Sequence, residues 1–231
     1  MRFRWKLRTV SRHSVDAAKV AALLFLAALV EAPLLRAEEA LIASWMLDEG
    51  SGETARDGGG AANGKIVRAA WTEGRSGGAL AFEDYSVVDY IQPDVGKATR
   101  LIVPHSDALN PRPPFRIKAS IYPTRDPVYY GGIIEKGRGR GASYRVMLLR
   151  GLKLRATAGG TGLTITTSRP LSLNAWHDIE LIVGTGGLVL MIDGKEAGRA
   201  DGTPGATASP ENIVVGERFS GKIDSVELLS R

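Results

Sequence analysis

The chain has 231 residues, of which 44% are hydrophobic and 24% charged, with 28 glycines, 11 prolines and no cysteine. The lack of cysteine excludes disulfides, thiolate nucleophiles and cysteine-ligated zinc. Of the 30 basic and 25 acidic residues, seven basic and two acidic lie in the first 37, which leaves 23 of each sign in the rest; the basic balance is thus no argument for nucleic-acid binding.

The first element is a leader. Arg2, Arg4, Lys6, Arg8, Arg12 and Lys19 precede the uncharged apolar run Val20–Val30, and Leu35-Arg36-Ala37 offers a cleavage point. This is the layout of a secretory signal peptide over residues 1–37. The apolar run is short against the about 20 residues of a membrane span. The expectation is a secreted, periplasmic or cell-envelope protein with no membrane segment after cleavage at Ala37. Residues 38–231 then form one domain, long enough for a full hydrophobic core.

Beyond the leader, short apolar runs alternate with turn residues and no long 3.6-residue period occurs. Strands are predicted at 42–47, 65–67, 79–82, 101–103, 115–122, 132–136, 143–149, 153–157, 163–167, 176–183, 188–192, 213–215 and 221–228. Many short strands at this spacing predict an all-β, antiparallel sandwich or barrel. The clearest stretch is Trp176–Gly198. Ile179, Leu181 and Val183 share one strand face, with Asp178 and Glu180 on the other. The run from Leu188 to Ile192 is apolar on both faces, so cover is expected on each side. Asp193-Gly194 supplies a type I′ reversal, with positive φ at both residues. The segments 51–64 and 198–210 are glycine-rich loops.

Little in this pattern carries catalytic chemistry. Gly74-Arg75-Ser76-Gly77-Gly78 fits the G-x-S-x-G nucleophile elbow, but Ala79-Leu80-Ala81-Phe82 after it alternates like a strand, where the elbow needs a helix. Only His105 and His177 remain after the leader. His177, beside Trp176, reads as a hydrogen-bonded packing residue. Asp178 and Glu180 share a face but begin a strand, and read as a solvated edge. Lys136, Arg138, Arg140, Arg145, Arg150, Lys153 and Arg155 form a basic run with no acid inside it. If Arg138 and Arg140 lie on a loop beside Arg145, they make a patch suited to sulfated or uronic-acid glycans; the alternative is that the charges solvate exposed strands. Tyr85, Tyr90, Tyr129 and Tyr130 are candidate platforms for sugar rings, or partly buried rim residues.

An ordered set of anchors resembles the laminin-G-like, concanavalin A-like jelly-roll family. The anchors begin with Trp45-Met-Leu-Asp48-Glu49-Gly50-Ser-Gly52, Asp57, Asn63-Gly64 and Gly74–Phe82. They continue through Phe115–Pro123, Gly132–Lys136, Leu173–His177, Asp193-Gly194, Gly216 and Phe219–Asp224. The resemblance implies a two-sheet antiparallel β-sandwich of jelly-roll form. It places Gly74–Gly78 as a tight entry into a core strand. It also implies a structural Ca2+ near the junction of the terminal strands, with Asp57, Asn63 and Asp224 as donors. Glycoside hydrolases of this fold carry a Glu-x-Asp-x-Glu type run, and the sequence has none. The expected function is therefore an exported, non-catalytic recognition module that binds carbohydrate, with Tyr129, Tyr130, Arg138, Arg140 and Arg145 as ligand contacts and an anionic polysaccharide as one candidate partner. The alternatives are a divergent glycoside hydrolase or lyase of the same fold, and an adhesion domain whose partner is a cell-envelope protein.

Overall fold

The alternating residues of this chain settle into two packed antiparallel sheets. The computed structural model describes residues 39–83, 98–160, 162–205 and 207–230; the expected leader, Tyr85, Tyr90 and the Arg140 side chain lie outside the described residues. Sixteen strands form among the described residues. They are β1 (Ala40–Trp45), β2 (Thr54–Ala55), β3 (Gly64–Val67), β4 (Ala70–Glu73), β5 (Gly78–Phe82), β6 (Arg100–Val103), β7 (Phe115–Pro123) and β8 (Tyr130–Lys136). Then come β9 (Tyr144–Leu149), β10 (Lys153–Ala158), β11 (Thr164–Thr166), β12 (His177–Gly184), β13 (Gly187–Ile192), β14 (Lys195–Asp201), β15 (Ile213–Val215) and β16 (Gly221–Ser230). Sheet A runs β14-β13-β12-β7-β16-β5-β4, with β1 also paired to β16; sheet B runs β11-β10-β9-β8-β15-β6-β3-β2.

The core lies between the sheets and follows the two-residue period. Along β7, Phe115, Ile117, Ala119 and Ile121 are buried, while Arg116, Lys118, Ser120 and Tyr122 face outward. Trp45 is fully enclosed, and its indole N–H donates to the Ala62 carbonyl at 2.8 Å. Lys136 also points inward and is 0% exposed. Its Nζ contacts His105 Nδ1 at 2.8 Å and the Glu211 carbonyl, so the amine closes one end of the sandwich instead of belonging to a surface patch. Burial lowers the Lys136 pKa, against the pull of Asp107 and Glu211.

Each predicted strand is present, and three further strands had not been expected: β2, β4 and β14. The sequence of β14, KEAGRAD, is polar on both faces because it is the last strand of sheet A. Asp193 and Gly194 have φ of 51° and 74°, as the type I′ turn requires. Two details differ from expectation. Trp176 precedes β12 and packs half-buried against Tyr122, with ring centroids 5.4 Å apart. On β13 Leu188 and Leu190 are fully buried in the core and Ile192 packs partly buried against it, whereas Val189 and Met191 are half-buried on the outer side.

Candidate functional site

The residues singled out in the sequence fall into three places. Asp57 and Asn63 frame one loop. Asp57 Oδ1 accepts from the amides of Ser44 (2.8 Å) and Gly59 (3.1 Å), and Oδ2 from those of Ala61 and Ala62 (both 3.1 Å). Asn63 Oδ1 accepts from the Asp57 amide at 2.8 Å. Asp224 sits elsewhere. Its Oδ2 accepts from the amides of Arg75 (2.9 Å) and Ser76 (3.1 Å), inside the turn that joins β4 to β5. The same turn gives the Gly78 amide to Asp48 Oδ1 at 2.6 Å. Burial raises the Asp224 pKa from its ordinary value; the two amides oppose this and Asp48 reinforces it.

These three residues do not fit a calcium ion as a set. The Asp57 oxygens already carry four N–H donors, which leaves them little lone-pair capacity for a cation. The terminal strands β1 and β16 do pair, but the Asp224 carboxylate turns to the glycine-rich turn. No group of three acidic or histidine side chains suited to a metal occurs among the described residues. Gly74–Gly78 is a tight turn before β5 that holds Asp224.

His177 is a packing residue as the sequence suggested. Nδ1 lies 2.9 Å from Asp193 Oδ2, and Nε2 lies 3.2 Å from both the amide and the carbonyl of Ser172. A depression of about 530 Å³ borders it, but both ring nitrogens are already engaged. Asp178 and Glu180 do share the outer face of sheet A. Asp178 meets Arg75 at 2.7 Å and the Ser120 hydroxyl at 2.6 Å, and Glu180 meets Arg116 at 3.0 Å.

The third place is the outer face of sheet B, where most of the basic and aromatic candidates gather. Tyr130, Gly132 and Glu135 point outward from β8, and β9 sets Arg145 directly opposite Glu135. Gly131 and Gly132 are both buried: Gly131 faces Phe219 in the core, and Gly132 lies beneath the Glu135 side chain. A Cβ on Gly132 would lie 2.3 Å from Glu135 Oε2, so the carboxylate folds back over this glycine. Arg145 Nε donates to Glu135 Oε1 at 2.8 Å, and Nη2 reaches the same oxygen. Arg145 also lies 5.7 Å from the centroid of the Tyr130 ring, and Arg218 lies 5.4 Å from it. Tyr129, beside it, is 48% exposed.

A second carboxylate enters from the segment after β15. Reciprocal backbone bonds between Gly132 and the Gly216–Glu217 segment, at 2.8 and 3.0 Å, hold it against β8. Glu217 meets Arg138 at 3.2 Å and Arg100 at 3.4 Å. Burial raises the Glu135 pKa; Arg145 and Arg138 counter this, and repulsion from Glu217 adds to it.

Sequence reasoning found Tyr129, Tyr130, Arg138 and Arg145 and missed Arg100, Glu135, Glu217 and Arg218. Glu135 stands one residue outside the basic run, and strand alternation from Ile134 could have placed it on the outer face. Nothing local marks Arg100, Glu217 or Arg218, because strand pairing across long sequence separations brings them in.

A family model described as the concanavalin A-like lectin/glucanases superfamily matches residues 96–231. No curated protein matches. Among solved structures, domain 4 of an extracellular GH43 arabinanase from Geobacillus stearothermophilus, in complex with arabinotriose, is similar with a TM-score of 0.61 at 15% identity, covering 84% of this chain and 93% of that one. A Trypanosoma rangeli sialidase, in complex with difluorosialic acid, gives a TM-score of 0.60 at 14% identity, covering 83% of this chain and 30% of the sialidase. The receptor-binding domain of botulinum neurotoxin mosaic serotype C/D gives 0.61 at 13% identity, covering 83% of this chain and 48% of that one. At these identities the likeness is one of fold.

Proposed function

The chain belongs to the concanavalin A-like lectin/glucanases superfamily, and we propose that it is an exported, non-catalytic module that binds carbohydrate on the outer face of sheet B. The observation that carries this reading is the pairing of Tyr130 with Arg145 and Arg218 on the outer face of sheet B. A sugar needs an aromatic edge or face for its C–H surface and polar groups that both donate and accept for its hydroxyls. Tyr129 and Tyr130 supply the first. The guanidiniums of Arg138, Arg145 and Arg218 supply donors, and Glu135 and Glu217 supply acceptors. The two similar structures named with arabinotriose and with difluorosialic acid agree with a sugar ligand. Export rests on the leader at 1–37.

A glycan array, run with and without chelator, tests the reading. Binding is expected to survive the chelator and to fall by roughly tenfold in Tyr130→Ala, since sugar–aromatic contacts of this kind are worth about 1–1.5 kcal/mol. An array with no signal for neutral or acidic glycans overturns it.

One observation favours a second reading, a polysaccharide-active enzyme. Glu135 and Glu217 stand on one outer face, the first nearly buried beneath Arg145 with its pKa raised by burial, the second braced by two arginines. Two carboxyls on one face suit glycosidic cleavage, in which one carboxyl donates a proton while the other attacks or activates water. Release of new reducing ends from a polysaccharide, abolished in Glu135→Gln at saturating substrate, would establish it in place of the binding-only role.

A further inference from the structure

The 23 basic and 23 acidic residues beyond position 37 are not evenly placed. On sheet A, cations and carboxylates alternate across the outer face. Lys118 stands in register between Glu180 and Glu227, Arg116 holds Glu39 and Glu180, and Arg199 holds Glu196. On sheet B the cations dominate. The acids facing outward from its strands and from the segment after β15 are Glu135 and Glu217, with side chains only 6% and 13% exposed beneath their arginines. Four cations on its strands and on the segment after β15 have no carboxylate partner among the described residues. Arg218 meets the Tyr130 ring, Arg155 meets the Thr166 hydroxyl, and Lys153 and Lys65 stand exposed on β10 and β3.

These cations lie along one path. From Arg155 on β10 the sheet passes through β9, β8, β15 and β6 to Lys65 on β3, five strand spacings or about 24 Å. In register, Thr164, Thr157, Arg145, Glu135, Val214, Ile102 and Lys65 form one transverse row. Tyr130 and Arg218 flank the row near its middle. A path of this length fits several units of an extended polymer better than one monosaccharide.

The face also shows which anion its arginines accommodate. Arg145 reaches Glu135 through Nε and Nη2, and Arg138 reaches both oxygens of Glu217 at 3.2 and 3.4 Å. Both partners are planar carboxylates, the shape a guanidinium fork matches best. Glu135 and Glu217 thus act as built-in carboxylates within a surplus of positive charge.

We propose that the outer face of sheet B binds a carboxylated polysaccharide, a polyuronate, laid across the strands from Arg155 past Arg145 and Arg218 to Lys65. This rests on the reading of that face as the carbohydrate site. In bound form, chain carboxylates pair with Arg218, Arg155 and Lys65, and sugar rings lie against Tyr129 and Tyr130.

The test is affinity electrophoresis and titration calorimetry of the full chain with polygalacturonate, dextran, dextran sulfate and single-stranded DNA, at low and physiological salt. Polygalacturonate is expected to bind tightest and to weaken as salt rises. Arg155→Ala, at an exposed position, and Arg218→Ala are each expected to weaken it by about fivefold, the loss of one exposed charge pair. Glu217→Gln releases Arg138 and Arg100 and is expected to tighten it; Arg155→Ala decides the matter if that variant fails to fold. Equal or tighter binding of dextran overturns the polyuronate inference and leaves the carbohydrate reading intact. Equal or tighter binding of dextran sulfate or DNA reduces the face to a general polyanion surface and overturns the inference. Silence with every glycan overturns both readings.

Discussion

Several carboxylates of this protein bind its own backbone. Asp57 takes four amides, Asp224 two, and Asp193 one amide and one imidazole. Asp193 makes this testable. Burial acts to raise its pKa, but the hydrogen bonds from His177 and the Asp178 amide prevail, and the carboxyl is held below its ordinary value. A carboxyl whose pKa is depressed on folding contributes stability that is complete above its unfolded pKa, near 4, and is lost as pH falls through the folded value. Asp193→Asn keeps a residue tolerant of positive φ while removing the charge. It is expected to cost about 1 kcal/mol at pH 7, at the low end for charged hydrogen bonds because the carboxylate is half exposed. In urea titrations the gap between wild type and variant should narrow toward pH 3. A gap that stays constant with pH would show that the charge of Asp193 plays no part.

The elements depend on a few tight approaches between strands and loops. Gly216 ends β15 with φ of 78°, and a Cβ there would stand 2.1 Å from the Phe82 ring in the core. The same residue turns the chain so that Glu217 and Arg218 reach the sheet B face. Gly216→Ala combines left-handed strain with overpacking and is expected to cost about 2–4 kcal/mol. Circular dichroism melts and the glycan assay together should report loss of stability and of binding. An unchanged melt would mean that the Phe82 ring yields freely. At this scale much of the fold was legible. Every strand with alternating or continuous apolar residues was readable, because burial on one face imposes the two-residue period. The strands β2, β4 and β14 were not, since short or edge strands bury too little to leave that mark. The Asp193-Gly194 reversal was readable because its geometry restricts residue choice.

Across the whole molecule, the central result is a charge asymmetry that composition conceals. A chain beginning at Glu38 has a formal charge of zero on counting, yet its sheet B face is basic. Folded, that chain is expected to be retained on a cation exchanger at pH 7 and low salt, and to pass through when unfolded in urea, where the charges are averaged. Flow-through of the folded form would refute the asymmetry. The sequence by itself determined the all-β class, most strand positions and the tyrosine and arginine half of the candidate site, because these follow from local periodicity and from clusters within one hairpin. Only the tertiary structure decided that Asp57 serves its own loop and Asp224 the distant β4–β5 turn, that Lys136 turns inward, and that Arg100, Glu135, Glu217 and Arg218 complete the site. Those outcomes depend on pairing between β8, β15 and β6, whose residues lie far apart in the chain, and on which amides and carboxylates burial leaves without water.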